Sequence, residues 1–530
     1  MSAKWKNSPG RMPNLSRLQR QAFSSFQEGD LKRAEKLCAG ILEHRPDDFD
    51  ALHMLGMLHF QRQRMVEALH FLAAALKANS ASSDAMSNLG LALHATGRFD
   101  EALLQFGNAL QFAPEHPEIL YNLANTYLEL GRFDEALSRY DAALAQAPGH
   151  AGALVNRGNT LLRLNEPMKA IASYDAALDA MPGHPQILTN RGHARRRLDR
   201  PLEALADFNA ALLAAPEFAE AHFESAMTHL TLGDFDTGWK QYEWRWKTGA
   251  FARYRRPFRA PPWLGGESVA GKTVLLHAEQ GFGDTIQFIR YAPLLVGRGA
   301  KVICEVQPEL QPLLSQLADV SVIASGGTRP AFDLHVPLLS LPLAFATQIE
   351  TIPAAFPYLV ATADRVAYWR TRLPPGTLRA GFVWSGSSTH KNDRNRSIAL
   401  AQLAALFDNP PLQCLSLQTE LRDADRDALG SLPNLIHLGD EIGGFADTAA
   451  IISLLDVVIS VDTAVAHLAG ALGKPVVILL PYAADFRWMR QRNDTLWYPT
   501  ARLMRQPAFG DWDSVIGRLG DELRRWNQRC

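Results

Sequence analysis

Two short strings in the C-terminal part of the chain place glycines, carboxylates and hydroxyls where an anionic ligand could be held. The first is His277-Ala-Glu-Gln-Gly281-Phe-Gly283-Asp284-Thr285. Its glycines follow an apolar run and open a helical pattern at Asp284, where the chain can turn tightly and bring amides close to a ligand. Ile286 stands where a dinucleotide fingerprint has its third glycine, so nicotinamide binding loses its main support. Glu279, Gln280, Gly281 and Gly283 are candidates to line a crevice there. The second string is Ser460-Val-Asp462-Thr463-Ala464-Val-Ala-His467-Leu-Ala-Gly470, whose Asp462-Thr463 comes directly after the apolar run 457–461. Free amides and the dipole at a helix start hold a diphosphate, with Thr463 adding a hydroxyl. His467, about 1.4 turns past Asp462, is a further candidate to reach a donor phosphate. Plain structural readings compete: Asp284 and Asp462 as helix caps, and His467 as a core residue.

A third polar stretch, Trp384 to Ser397, comes after another apolar run and is rich in donors. Ser385 and Ser387 are candidates for phosphate oxygens, and Lys391, Arg394 or Arg396 for neutralising negative charge on a phosphate ligand. A solvated loop is the competing account. Asp440, Glu441 and Phe445 lie past the apolar run that ends near Leu438, where an α/β sheet would hold ribose and base, on a stretch that reads equally as a glycine-rich turn. No metal centre is expected. His277, His335, His390 and His437 are isolated, and no His-x-x-x-His or Cys-x-x-Cys spacing occurs. Asp423-Ala-Asp425 and Asp511-Trp-Asp513 imitate a metal-binding carboxylate pair but fall on or beside expected surface helices.

The elements that must position these residues come in two styles. Over the first 250 residues a small residue recurs every 34 positions: Ala22, Gly56, Gly90, Ala124, Gly158, Gly192 and Ala226. Ala34, Ala68, Ala102, Ala136, Ala170, Ala204 and Gly238 form a second series, and Cys38, Leu72, Phe106, Tyr140, Tyr174, Phe208 and Tyr242 a third, bulkier one. Proline ends most units, at 46, 114, 148, 182 and 216, and turns such as Gly97-Arg98 and Gly131-Arg132 split each unit into a helix hairpin. This period resembles the tetratricopeptide repeat, which implies about seven repeats over residues 15–248, an α-helical superhelix and a groove for an acceptor protein or other partner. The last unit departs from the pattern with Arg245, Trp239, Trp244 and Trp246, which suggests that it docks onto the domain C-terminal to it.

Residues 249–268, rich in arginine and proline, break the register and read as a connector, and residues 1–14 as a flexible leader without the apolar run of a signal peptide. Beyond the connector, short apolar runs alternate with helical patterns, the mark of an α/β fold with parallel sheets. Two Rossmann-like halves are expected, 269–360 and 361–530, with a cleft between them.

Composition sets outer bounds. Lys plus Arg total 54 against 55 Asp plus Glu, so no global charge draws the chain to nucleic acid or an anionic membrane. No run is long and apolar enough to span a bilayer, and four scattered cysteines make no disulfide framework. A cytoplasmic protein is expected.

Two facing Rossmann-like halves behind a repeat array, with the strings at 277–285 and 460–470, resemble the GT-B glycosyltransferases and, more narrowly, the heptosyltransferase-like family 9. The O-GlcNAc transferases are a looser analogue. The resemblance implies a metal-independent inverting transfer from a nucleotide-sugar donor, with no further cofactor. It implies Asp284, facing the cleft, as general base, and Asp462 and Thr463 as donor-binding residues. Ala464 replaces the glycine that usually comes after Asp-Thr in that pattern. The alternative is a non-catalytic repeat scaffold whose nucleotide-sugar domain only binds.

Overall fold

The computed structural model describes residues 15–375, 378–390, 392–408 and 412–527, so the expected leader 1–14 and Lys391 lie outside the described residues. The chain divides into two compact units, one up to Pro182 and one from Gly183 onward. The first unit consists of five helix hairpins, from Leu15–Gln27 with Leu31–Leu42 to Ala151–Arg163 with Pro167–Ala180.

The 34-residue series explains how each hairpin closes. A Cβ on Gly56 would stand 2.5 Å from Leu72 Cγ, one on Gly90 2.8 Å from Phe106, and one on Gly158 2.5 Å from Tyr174. Small residue and knob are therefore one packing unit, sixteen positions apart, and the knobs are fully buried. The two tyrosine knobs of the first unit find partners for their hydroxyls: Tyr140 donates to Asn125 Oδ1 at 2.6 Å and Tyr174 to Asn159 Oδ1 at 2.8 Å.

The second unit opens with the sixth and seventh hairpins, Pro185–Arg197 with Pro201–Ala214 and Ala219–Leu232 with Phe235–Tyr242. Two parallel sheets come next. In the first, β1 (Thr273–His277), β2 (Lys301–Val306), β3 (Val320–Ala324) and β4 (Leu334–Pro337) lie in the order β3-β2-β1-β4. The second comprises β5 (Arg379–Val383), β6 (Gln413–Ser416), β7 (Leu435–His437), β8 (Val457–Val461), β9 (Val476–Leu480) and β10 (Ala501–Arg505). Its order is β10-β9-β8-β5-β6-β7. Every residue of β8 and β9 is buried, as the near-continuous Val/Ile/Leu runs require of a sheet covered on both faces. The α-helical repeat array thus leads into an α/β region with two doubly wound sheets.

Strand order reverses between β1 and β4 in one sheet and between β8 and β5 in the other, and such switch points open a crevice at the carboxyl ends of the strands. The strings at 277–285, 384–397 and 460–470 all leave strands that flank a switch point. The seventh hairpin docks onto this region, as its aromatic residues suggest: Trp239 is buried edge-on against Phe288 and Phe486, at 6.3 and 5.6 Å between ring centres. The connector adds to the β4 edge of the first sheet, where the Trp263 amide donates to the His335 carbonyl at 2.9 Å, and its Arg256 pairs with buried Glu305 on the inner strand β2 at 2.8 Å.

Candidate functional site

The helix after β1, Phe282–Phe288, and the helix after β8, Ala464–Ala471, meet at their first turns. Gly283 makes this possible: a Cβ there would stand 2.9 Å from His467 Cδ2 and 3.6 Å from Ala464 Cα. Its lack of a side chain serves helix-to-helix approach, whereas Gly281 has an ordinary extended φ of −69° and needs no glycine for its turn. The expectation that both glycines make a tight ligand turn is corrected to that extent.

Asp284 sits at the third position of its helix, where its Oδ2 accepts from the Gly281 amide at 3.1 Å. Its other oxygen accepts from the Arg487 guanidinium, which arrives from the loop after β9. Arg487 also donates to Asp485 Oδ1 at 2.8 Å and to Gln287 Oε1 at 2.5 Å, so three donor atoms of its fork are used. Burial raises the proton affinity of Asp284, the positive charge of Arg487 opposes that, and the nearby Asp485 adds to it.

Asp462 lies one helix start away. Burial and the neighbouring Asp485 charge lift its pKa from 3.8 to about 6, against the pull of Arg396 and Arg487. Arg396 donates through Nη1 to the Asp462 carbonyl at 2.8 Å, and a Cβ on Gly386 would overlap its Nη2, so Gly386 is where the guanidinium passes. Thr463 precedes the Ala464 helix without capping it by its side chain; its hydroxyl lies 2.9 Å from Ser460 Oγ. The first amides of that helix are left without an intrahelical partner.

The remaining candidates divide. His467 is buried, 2.8 Å from the Tyr498 hydroxyl through Nδ1 and stacked on Trp488, with Nε2 3.9 Å from Asp462 Oδ1. Burial, with Arg487 and Arg290 nearby, holds its pKa well below the usual range. Ser385 is buried with its hydroxyl unpartnered, while Ser387 is exposed and 3.0 Å from Thr389 Oγ1. Gln280 accepts through its carbonyl from Gln307 at 2.8 Å, and its own amide nitrogen is buried without a partner.

Glu279 is a correction. Its side chain is wholly buried and bound by Arg245 Nε at 3.0 Å and Nη2 at 3.2 Å, with the Leu339 amide at 3.1 Å. It fills the β1/β4 switch point and lines no open crevice. Asp425 is another: it is buried, accepting from Trp384 Nε1 at 3.1 Å and the Leu400 amide at 3.0 Å, and so braces both ends of the polar loop.

Asp485 and Arg487 belong to no motif that singles them out in the sequence. Their signal is positional, a polar turn directly after the apolar run Val476–Leu480, at the carboxyl end of a parallel strand. Across the same junction Phe282 and Phe445 pack at 4.9 Å, tilted by 58°. Among the described residues no group of three or more His, Cys, Asp or Glu could hold a metal ion, and no helix is long and apolar enough to cross a membrane.

Comparison with known proteins agrees with this division. Tetratricopeptide-repeat families match residues 25–90, 93–151, 128–191 and 189–238. Glycosyltransferase family 9 (heptosyltransferase) matches residues 444–488, a span that holds Asp462, Thr463, His467, Asp485 and Arg487 but not Asp284. Protein FlbA of Caulobacter vibrioides is 25% identical over 339 residues, covering 58% of this chain and 55% of that protein, so the chain spans about half the length of this relative. Cellulose synthase operon protein C of Pseudomonas fluorescens is 40% identical over 57 residues, 11% of this chain and 4% of that one. Among solved structures, YrrB, described as a tetratricopeptide-repeat protein with an unusual peptide-binding site, is 21% identical, covering 35% of this chain and 95% of its own with a TM-score of 0.31. A tetratricopeptide-repeat protein from Parabacteroides merdae is 17% identical, with 43% and 91% coverage and a TM-score of 0.37. The chain thus joins a tetratricopeptide-repeat array to a C-terminal α/β region that carries a short match to glycosyltransferase family 9.

Proposed function

We propose that the α/β region binds a nucleotide sugar and transfers the sugar, with inversion and without a metal, to an acceptor protein recruited by the repeats. The observation that carries this reading is the convergence of two helix starts at adjoining switch points with Asp284, Asp462, Arg396 and Arg487 around them. Amides at the start of the Ala464 helix, Thr463, Ser385 and Arg396 hold the diphosphate, with Lys391 on the same loop. Residues 269–360 present the acceptor and 361–530 the donor, with 249–268 as connector. The acceptor nucleophile gives its proton to Asp284 as its lone pair bonds to the anomeric carbon. The bond from that carbon to the diphosphate oxygen breaks, and its electron pair leaves with the diphosphate, toward the guanidinium groups. A carboxylate whose proton affinity is raised by burial suits that task. Three buried, unpaired cysteines, Cys38, Cys304 and Cys414, suit the reducing cytoplasm.

The rival reading is a repeat scaffold with a binding-only domain. It is favoured by the pairing of Arg487 with Asp284, since a carboxylate neutralised by a guanidinium is a weaker base. Calorimetric titration of the full chain with a panel of nucleoside diphosphates and their sugars, together with assays of sugar release and of Asp284→Asn, separates the two. Binding with turnover lost in Asp284→Asn supports the transferase. Binding without turnover favours the scaffold, and no binding to any member overturns both.

A further inference from the structure

The loop that brings Asp485 and Arg487 to the site is held by the repeats. Phe486 packs against Trp239 and Tyr242, at 5.6 and 6.5 Å between ring centres. The Met489 methyl lies where a side chain on Gly233, in the turn of the seventh hairpin, would stand, 3.0 Å from that Cβ position. Arg490 makes the third tie. Its Nε donates to Asp199 Oδ1 at 2.6 Å, and its Nη2 donates to Oδ2 at 3.0 Å and to the Asp199 carbonyl at 3.3 Å. Arg505, on β10, also donates to the segment, to the Met489 carbonyl at 2.6 Å.

Asp199 occupies a particular place. The corresponding turn residues of the seven hairpins, Gly29, Gln63, Gly97, Gly131, Asn165, Asp199 and Gly233, all have positive φ, and four of them are glycine. At 199 an aspartate takes φ +55°, a conformation that glycine adopts at less cost. Its carboxylate is the group that a bidentate arginine fits. The segment it meets is itself unusual, with Met489 at φ +48° and Gln491 at φ +53°. Left-handed residues other than glycine persist only where surrounding contacts over-determine them, and they gather at functional sites.

We infer that Asp199, in the turn of the sixth repeat, positions the Asp485–Arg487 segment through Arg490, so that the end of the repeat array is a working part of the donor site. This rests on the donor-binding reading above. Asp199 and Arg490 are positioning residues; neither is assigned a contact with the donor. The repeats then do more than recruit: whatever binds near the sixth turn is coupled to the guanidinium that faces the diphosphate.

The test uses the full chain and Asp199→Gly, which installs the residue of four sister turns and so removes the carboxylate without damaging the turn. Asp199→Asn, the type present at Asn165, keeps one acceptor. Hydrogen exchange on the free protein reads the loop, and calorimetry with the nucleoside diphosphate that wild type binds most tightly reads the site. The inference expects faster exchange over 485–492 and an affinity loss of about tenfold in Asp199→Gly, a smaller loss in Asp199→Asn, and melting temperatures at or near wild type. Unchanged exchange, or unchanged affinity beside faster exchange, overturns the positioning role and leaves the donor reading standing. If wild type binds no nucleoside diphosphate, the donor reading itself fails and takes this inference with it.

Discussion

The guanidinium of Arg487, on the loop after β9 of one sheet, is bonded to the carboxylate of Asp284, on the helix after β1 of the other. One ion pair therefore spans both halves of the α/β region and ties the proposed base to a proposed ligand of the leaving group. Both side chains are mostly buried, at 10% and 18% exposure, so the pair is only weakly screened by solvent.

Removing that guanidinium has a signed consequence. Arg487 is the larger of the two influences that lower the Asp284 pKa against burial, so Arg487→Met leaves only the Gly281 amide to oppose burial and Asp485, and the pKa rises further. A base must be deprotonated to act, and the acidic limb of the kcat/KM profile moves to higher pH in the variant. The maximal rate falls as well, by about 10² to 10³, the usual effect of deleting one donor that stabilises developing charge. A pH profile on the donor found in the panel checks both, and an unmoved acidic limb excludes Asp284 as the titrating base.

Asp462 is strained in a different way. Its folded pKa of about 6 lies above the ordinary 3.8, so the native state carries a penalised charge at neutral pH. Below 3.8 the carboxyl is neutral in both states and the penalty is absent; it grows as pH rises to about 6 and is full above that. Asp462→Asn is therefore expected to be more stable than wild type at pH 7, by an amount on the order of 1 to 3 kcal/mol, and equal to it near pH 3. Denaturant melts at the two pH values measure this. A variant that is more stable yet no longer binds nucleoside diphosphate marks a residue kept for function at the expense of stability.

How far a sequence of this kind can be read depends on the reach of each signal. The repeat series are legible because a hairpin closes through residues sixteen apart, such as Gly158 and Tyr174, so the constraint is local and repeats. Nine strands are legible as apolar runs, whereas β10, Ala501–Arg505, alternates with arginine and lies hidden in a basic tail. The strings around Asp284 and Asp462 announce helix starts after strands, and the structure brings those two starts together. Side-chain commitments are not legible. Glu279 is taken by Arg245, thirty-four residues earlier in the last repeat, and Asp284 by Arg487, two hundred and three residues later; no local pattern records a partner that distant.

Gly283→Ala tests the meeting of the two helices. A methyl at 283 would stand 2.9 Å from His467 Cδ2, and that ring is fixed by the Tyr498 hydroxyl and Trp488. Neither backbone nor imidazole can give way freely, so the helices separate, at a cost of about 1 to 3 kcal/mol. Thermal unfolding reads the loss, and calorimetry reads a weaker nucleoside diphosphate. Gly281→Ala, with ordinary φ and only Asp284 Oδ2 at 3.6 Å, is the control and leaves stability near wild type.

Arg245 and Glu279 test the docking of the last repeat onto the first sheet. Both side chains are fully buried; burial, with the nearby Glu243 charge, pushes the Glu279 carboxyl upward while Arg245 opposes it. Arg245→Met strands an uncompensated carboxylate, and about 3 to 5 kcal/mol of stability is lost at pH 8. With its partner gone Glu279 takes up a proton more readily, so the deficit narrows as the pH falls toward 5. Glu243, which also accepts from Arg245 at 2.7 Å, is 21% exposed and regains water instead. Arg245→Met with Glu279→Leu removes both charges and recovers most of the loss. Urea unfolding of the single and double variants at pH 5 and 8 measures each term, and a double variant no more stable than Arg245→Met would show that shape at the β1/β4 switch point, not the ion pair, holds the last repeat in place.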